Sequence, residues 1–301
     1  MVHSRVDDPT LVSVVIPTYY RNDRLRDAIR SAQTQAYKRV EVIVVDDSGV
    51  WNAAPVSEEF DAVTFLAMES NRGWGPALTR GIKSARGKYI QLLDDDDELI
   101  GDKLARSIAT FRDNSAVGVV YSGVRLPNEK YVRPSHTGNV LREALSLDLW
   151  PCYTSSMLIE RSVLDAVLPL PRWPAANDDR LMIELARRTR FASIDAPLVR
   201  KGNSEDHVGA PAQKVRGYDQ ILTEYADRYE RYPEAKQRAQ AKLERWRGYQ
   251  CMENSYWSPR AIRAFANALR YRAQPQDPGL LLSALLGRHV YAAYRQFLSG
   301  S

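Results

Sequence analysis

Apolar, β-branched runs punctuate the first hundred positions. Val12 to Ile16 is one such run, stopped by Pro17, and Asn22-Asp23 then open an amphipathic helix carrying Leu25, Ala28, Ile29 and Ala32. Val40 to Val45 repeats the strand pattern and ends in Asp46-Asp47-Ser48-Gly49, and Val63 to Leu66 reads as a third strand. A fourth apolar run, Tyr89 to Leu93, leads into four consecutive aspartates, Asp94 to Asp97. Buried runs alternating with helices predict a parallel sheet covered by helices, and in such sheets ligands bind at the carboxyl ends of the strands. Here those ends carry Pro17-Thr18-Tyr19, Asp46-Asp47 and the aspartate run.

Further along, Ser155 to Glu160 reads as a strand and Arg161 to Val167 as a short helix. A proline-rich loop, Pro169 to Ala176, then delivers Asn177-Asp178-Asp179 to a helix carrying Leu181, Leu185 and Ala186. An acidic pair at a helix N-terminus is also a routine capping device. After Pro197 to Arg200, which is strand-like, the pattern turns helical over Tyr218–Tyr232, Glu234–Tyr256, Pro259–Tyr271 and Gly279–Leu298.

Adjacent carboxylates raise one another's pKa, so four in a row at a strand end need a cation or full exposure. Oxygen ligands at Asp-x-Asp spacing suit a hard divalent ion, Mg²⁺ or Mn²⁺. A solvated acidic turn capping a helix that starts near Leu99 is the simpler account of the run. A calcium loop fits poorly, since Leu99 stands where an EF-hand turn needs glycine and no glutamate closes the loop.

Four short motifs give the run its company. Val12-Ser-Val-Val-Ile-Pro-Thr-Tyr19, Glu41-Val-Ile-Val-Val-Asp-Asp-Ser48, Asn71-Arg-Gly73 with Ala77 and Gly81-Ile82, and Gly87-Lys-Tyr-Ile-Gln-Leu-Leu-Asp-Asp-Asp96 occur in order. Together they resemble the family-2 inverting nucleotide-sugar glycosyltransferases of the GT-A fold, over roughly residues 10 to 205. The resemblance implies an α/β fold with a mixed, mostly parallel sheet, helices on both faces and, here, a helical C-terminal extension. It places the catalytic domain at 1–206, with the nucleotide-sugar site at roughly 11–98 and the acceptor part at roughly 120–206. The basic extension is 207–301.

The resemblance also assigns roles. Pro17, Thr18, Tyr19 and Arg21 would line the nucleotide pocket, Asp47 would meet the base edge, and Asn71, Arg72 and Gly73 would close the site. Asp94 and Asp96 would form the metal-binding pair with Asp95 near the ribose, and His207 would come late to the metal or diphosphate. Registration on Leu181, Leu185 and Ala186 makes Asp178 the general base, with Asp179 the alternative. Asn177 replaces the family's usual Glu, and Glu184 stands where Arg is common. The implied reaction moves one sugar, with inversion, from a nucleotide-diphosphate sugar, UDP-linked for preference, to a hydroxyl acceptor such as a lipid-linked or surface-glycan intermediate. A sugar-1-phosphate nucleotidyltransferase would need a Gly-rich signature that Pro17-Thr-Tyr-Tyr-Arg21 does not supply, whereas a silent nucleotide-sugar binder would lack only the base.

Charge separates the two parts. Residues 1–206 hold 27 Lys+Arg and 29 Asp+Glu, a net −2, whereas 207–301 hold 15 and 8, a net +7, which together give the chain's +5. The basic extension fits packing on the catalytic domain, a homodimer contact, or an anionic membrane surface, because Leu280 to Leu298 joins an apolar face to Arg288 and Arg295. No recognition motif points to nucleic acid. The longest apolar stretch, Leu280 to Leu286, falls well short of the roughly 20 residues a span needs. Two cysteines, Cys152 and Cys251, far apart and without a signal peptide, point to a reducing cytoplasm, peripheral to the membrane at most.

Overall fold

The computed structural model describes residues 10–173, 175–202, 211–253 and 255–300. The chain divides into two compact units, the first comprising 1–140, 149–172 and 181–205, the second 141–148, 173–180 and 206–301.

In the first unit the apolar runs form strands as expected. β1 (Val12–Thr18), β2 (Val40–Asp46), β3 (Val63–Ala67) and β4 (Tyr89–Leu92) lie side by side in the order β3-β2-β1-β4, all parallel. β5 (Glu98–Leu99), β6 (Val117–Arg125), β7 (Tyr131–Val132), β8 (Met157–Glu160) and β9 (Arg190–Arg200) complete the sheet. Its path is β3-β2-β1-β4-β8-β6-β9-β5, with β7 paired to β6. β8 joins the two halves by antiparallel pairing to β4 and β6, while β6 and β9 run parallel through a bulged register.

The helices that follow these strands are α1 (Asn22–Gln33), α2 (Ala54–Glu58), α3 (Trp74–Ser84) and α4 (Lys103–Asp113). Alternation along β1 puts Val14 and Ile16 in one core with Leu25 and Ile29 of α1. Val15 instead meets α3, where a Cβ on Gly81 would fall 2.4 Å from its Cγ1. Helices therefore cover both faces of the parallel half. Burying each such side chain contributes roughly 1.5–3 kcal/mol.

Two expectations are corrected. Glu98-Leu99 is not the start of a helix but a strand paired to Val199-Arg200, and α4 begins only at Lys103, so the aspartate run does not cap it. The strand expected from Ser155 begins at Met157, after a 3₁₀ turn over Thr154–Ser156.

Two short helices, α5 (Leu141–Leu145) and α6 (Arg161–Asp165), precede α7 (Asn177–Ala186). Of these, α5 and the first turn of α7 belong to the second unit, whose remaining helices are α8 (Pro211–Glu224), α9 (Ala226–Arg231), α10 (Pro233–Glu253), α11 (Pro259–Arg272), α12 (Asp277–Leu286) and α13 (Arg288–Gly300). Met252, Ala261, Phe265, Leu280, Ala284 and Tyr291 form its own core. The helix expected over Gly279–Leu298 is two helices, broken at Gly287, whose φ of 96° a residue with a Cβ rarely adopts. No helix among the described residues is long and apolar enough to cross a membrane.

Candidate active site

The chain runs outward from β1 to β2 and β3, then returns to place β4 on the other side of β1. The carboxyl ends of β1 and β4 thus bound the crevice where such sheets receive ligands. Thr18 closes β1, and its hydroxyl donates to Asp95 Oδ2 at 2.8 Å. Arg21 follows, with Nη1 3.1 Å from Asp95 Oδ1 and 3.5 Å from Asp96 Oδ2. Arg24, one turn further on, stands 4.0 Å from Asp96.

The four aspartates alternate between half-buried and buried along a tight turn, in which the Asp97 N–H donates to the Asp94 carbonyl at 3.1 Å. Asp94, Asp96 and Asp97 each present an oxygen within 4.8 Å of the others. Asp94 is steadied by the Thr154 hydroxyl at 3.2 Å, while its own N–H donates to Ser155 Oγ at 3.0 Å. Asp95 is buried, and that burial pushes its carboxyl above the usual range, opposed by the Thr18 hydrogen bond and the Arg21 charge.

Asp97 has no exposure at all. It accepts from the Tyr153 hydroxyl at 2.9 Å, from Lys201 Nζ at 3.3 Å and from the backbone N–H of Gly202 at 2.9 Å. Burial, then the nearby Asp97 charge, holds the Tyr153 hydroxyl well above its ordinary pKa, so it remains a donor. Lys201 Nζ also lies 4.6 Å from the centroid of the Tyr153 ring. Gly202 is required by close approach, since a Cβ there would sit 1.7 Å from the Asp96 carbonyl oxygen. A cleft of about 180 Å³ opens on this group, lined by Arg24, Asp27, Asp96, Asp97, Glu98 and Gly202.

Asp47 lies one residue past β2 and uses both carboxylate oxygens on the loop expected to close the site. They accept from the backbone N–H groups of Arg72 at 2.8 Å and Gly73 at 2.7 Å. Asn71 and Arg72 are exposed, Tyr19 is exposed and Pro17 is buried within β1. Pro17, Thr18, Tyr19, Arg21 and Asp94 to Asp96 are therefore gathered at the β1 and β4 ends, with Asp47 and Asn71 to Gly73 beside them on the β2 side. His207 lies outside the described residues.

Asp178 and Asp179 belong to the second unit, in the first turn of α7. The Tyr218 hydroxyl donates to Asp179, and burial together with that carboxylate pushes its pKa well up. Next to them Arg180 pairs with Glu224 at 2.8 Å and lies over the Trp173 ring.

Sequence reasoning missed Asp97 as a member of the carboxylate cluster, along with Arg24, Thr154, Tyr153, Lys201 and Gly202. Arg24 could have been found from its spacing to Arg21 on a helix, and Asp97 from its place in the run. Tyr153 and Lys201, 56 and 104 residues from Asp97, carry no sequence signal.

Comparison with known proteins bears on this arrangement. The chain is 35% identical over 149 residues to an uncharacterised glycosyltransferase of Rickettsia prowazekii (strain Madrid E), covering 47% of this chain and 46% of that protein. It thus spans under half the length of that relative. Among solved structures, S. aureus TarS 1-349 superposes with a TM-score of 0.64 at 17% identity, covering 95% of this chain and 91% of that one. The mannosyltransferase PcManGT from Pyrobaculum calidifontis gives 0.62 at 20% identity, covering 97% and 85%. At these identities the two structures establish the fold. The family described as Glycosyl transferase family 2 matches residues 13–167, just over half of the chain, which therefore belongs to that family.

Proposed function

We propose that the protein is a metal-dependent, inverting glycosyltransferase that moves one sugar from a nucleotide-diphosphate sugar to a hydroxyl acceptor. The observation that carries this reading is the cluster of Asp94, Asp96 and Asp97 at the switch between β1 and β4. Its donors are all carboxylate oxygens, the hard set that Mg²⁺ and Mn²⁺ prefer. Four carboxylates face three cations there, Arg21, Arg24 and Lys201, which leaves a negative excess suited to a divalent ion. When bound, such an ion would neutralise charge that builds on the departing diphosphate.

The remaining roles fall to this chain's own groups. Thr18, Arg21 and Asp95 hold one wall of the nucleotide site through their mutual bonds. Asp47 fixes the Asn71 to Gly73 loop and keeps lone pairs for the base edge. Asp178 takes the proton from the acceptor hydroxyl as the hydroxyl attacks in line with the leaving diphosphate. Registration on Leu181, Leu185 and Ala186 is what makes Asp178 the base, with Asp179 the alternative.

PcManGT was solved with GDP-Man and Mn²⁺, and TarS 1-349 with UDP-GlcNAc, which supports a nucleotide-sugar donor here. We favour a UDP-sugar and a lipid-linked or surface-glycan acceptor.

The test is thermal unfolding with UDP- and GDP-sugars, with and without Mn²⁺. A ligand at 100 times its Kd stabilises by about 2.7 kcal/mol. The wild type should show this only with the metal, and Asp96→Asn should abolish both the shift and sugar transfer while folding normally. Equal shifts and transfer with EDTA, or in Asp96→Asn, would remove the metal role. A metal-dependent shift in a protein that transfers no sugar to any glycan or lipid-linked acceptor would leave a silent binder.

A further inference from the structure

The helix α12 is apolar almost all round, with Leu280, Leu281, Leu282, Ala284, Leu285 and Leu286 in sequence order. Such a helix is normally covered on every side. Here only one face is covered: Leu280 and Ala284 pack with Phe265, Met252 and Tyr291. Leu282, Leu285 and Leu286 stay in solvent at 58%, 49% and 60% exposure.

The exposed apolar groups form one patch. Leu282 and Leu286 are four residues apart on one helix face. Trp257, half exposed, donates its Nε1–H to the Leu285 carbonyl at 3.3 Å. The Tyr256 carbonyl accepts from the Arg288 N–H at 2.8 Å, and the Tyr256 ring meets His289 edge-on at 5.4 Å. Val290 and Phe297, seven residues apart on α13, extend the same apolar character at 43% and 68% exposure.

The exposed charge nearby is almost all positive, Glu253 at the end of α10, which acts on Tyr291, being the exception. Residues 255–301 hold six arginines, Arg260, Arg263, Arg270, Arg272, Arg288 and Arg295, and a single acid, Asp277. Asp277 is buried and taken up by Arg245, with Nε 2.7 Å from Oδ1 and Nη2 2.8 Å from Oδ2. All six arginines are exposed.

We infer that the tip formed by Tyr256-Trp257, α12 and the start of α13 seats on an anionic lipid surface. The leucines enter the acyl boundary, the two aromatics sit at headgroup depth, and the arginines meet the lipid phosphates. A second copy of the chain is the poorer occupant. A two-fold contact would set the same patch against itself and bring arginine against arginine, with six exposed arginines against the one exposed acid Glu253.

The test is flotation of the full chain with vesicles of equal parts phosphatidylcholine and phosphatidylglycerol. The wild type should float, and raising the salt from low to about 0.5 M should lower the bound fraction severalfold, since the Debye length falls well below 10 Å. Phosphatidylcholine vesicles alone should bind at least about tenfold less. The double variant Leu285→Asp, Leu286→Asp should lose flotation while keeping the wild-type melting curve. Arg288→Gln should weaken binding to the anionic vesicles only. Wild-type protein that never floats, or a leucine variant that floats as well as the wild type, overturns the inference. So does a wild-type dimer that the leucine variant dissolves without any change in vesicle binding, which would make the patch a subunit contact. Nucleotide-sugar stabilisation is measured on the same samples, so a failure here is separable from a failure of the proposed activity.

Discussion

Lys103, the first residue of α4, is fully buried, and its ammonium donates to Ser107 Oγ at 3.1 Å. Burial pulls its pKa from the ordinary 10.5 down to about 7, against a small upward pull from Cys152. A lysine whose pKa is lowered by folding is a burden on the folded state wherever the unfolded chain would hold the proton. The burden is complete below pH 7, shrinks as pH rises from 7 to 10.5, and vanishes above that. At 1.36 kcal/mol per unit it is about 5 kcal/mol in acid, about 4 at pH 7 and about 2 at pH 9. Lys103→Met keeps the side-chain volume and removes the charge, but leaves Ser107 Oγ without this donor, a loss of about 1 kcal/mol. The net expectation is a variant more stable by about 3 kcal/mol at pH 7, which at roughly 2–4 °C per kcal/mol raises the melting temperature by about 6–12 °C. The advantage should narrow by about 2 kcal/mol between pH 7 and pH 9. Calorimetric melts of both proteins at several pH values measure it. A variant less stable than the wild type at pH 7, or a difference that does not change with pH, would show that Lys103 stays charged in the folded protein and that the reasoning from burial is wrong.

Two further substitutions probe the site. Tyr153→Phe removes the buried hydroxyl that donates to Asp97 but keeps the ring beneath Lys201, so stability should fall by about 2 kcal/mol, as for a hydrogen bond to a charged group; urea unfolding reads it, and an unchanged midpoint would mean that Lys201 and Gly202 suffice to hold Asp97. Asp178→Asn should lower transfer by at least about 100-fold with nucleotide affinity intact, while Asp179→Asn should keep most of it; steady-state kinetics that reverse the two would move the base by one residue.

The parallel half of the sheet was legible because its strands are buried on both faces and read as continuous apolar runs. The second half was not. β6 is interrupted by Gly118, Ser122 and Gly123, and β9 carries Asp195 and Pro197, so neither shows an unbroken apolar run nor a clean alternation. Their pairing is decided instead by long-range packing, in a register shifted at Ser122 and Gly123. Glu98-Leu99 was misread for a related reason, since two residues carry no periodicity and only the partner strand β9 defines them. At the site, the acidic ligands were visible because they are contiguous in the chain. Their supports were not, because a buried carboxylate can recruit any donor the fold brings near, and here the donors come from the 3₁₀ turn, its flanking Tyr153 and the end of β9.

That division explains how four adjacent carboxylates persist at a strand end. Left to themselves they would repel and take up protons. The fold instead gives Asp95 and Asp97 their own partners, Thr18 and Arg21 for one, Tyr153, Lys201 and Gly202 for the other. Both are buried, so these bonds are shielded from water and hold the backbone of the run in place. The run itself is a turn, closed by the Asp97 N–H donating to the Asp94 carbonyl at 3.1 Å, and Asp94 and Asp96 have lighter support, from Thr154 for Asp94 and from Arg21 and Arg24 at longer range for Asp96. Asp95 and Asp97 thus anchor the run, while Asp94, Asp96 and Asp97 each still present an oxygen within 4.8 Å of the others. The same logic separates the expected failures: loss of an anchor should cost stability first, whereas loss of Asp96 should cost metal and nucleotide binding in a protein that still folds.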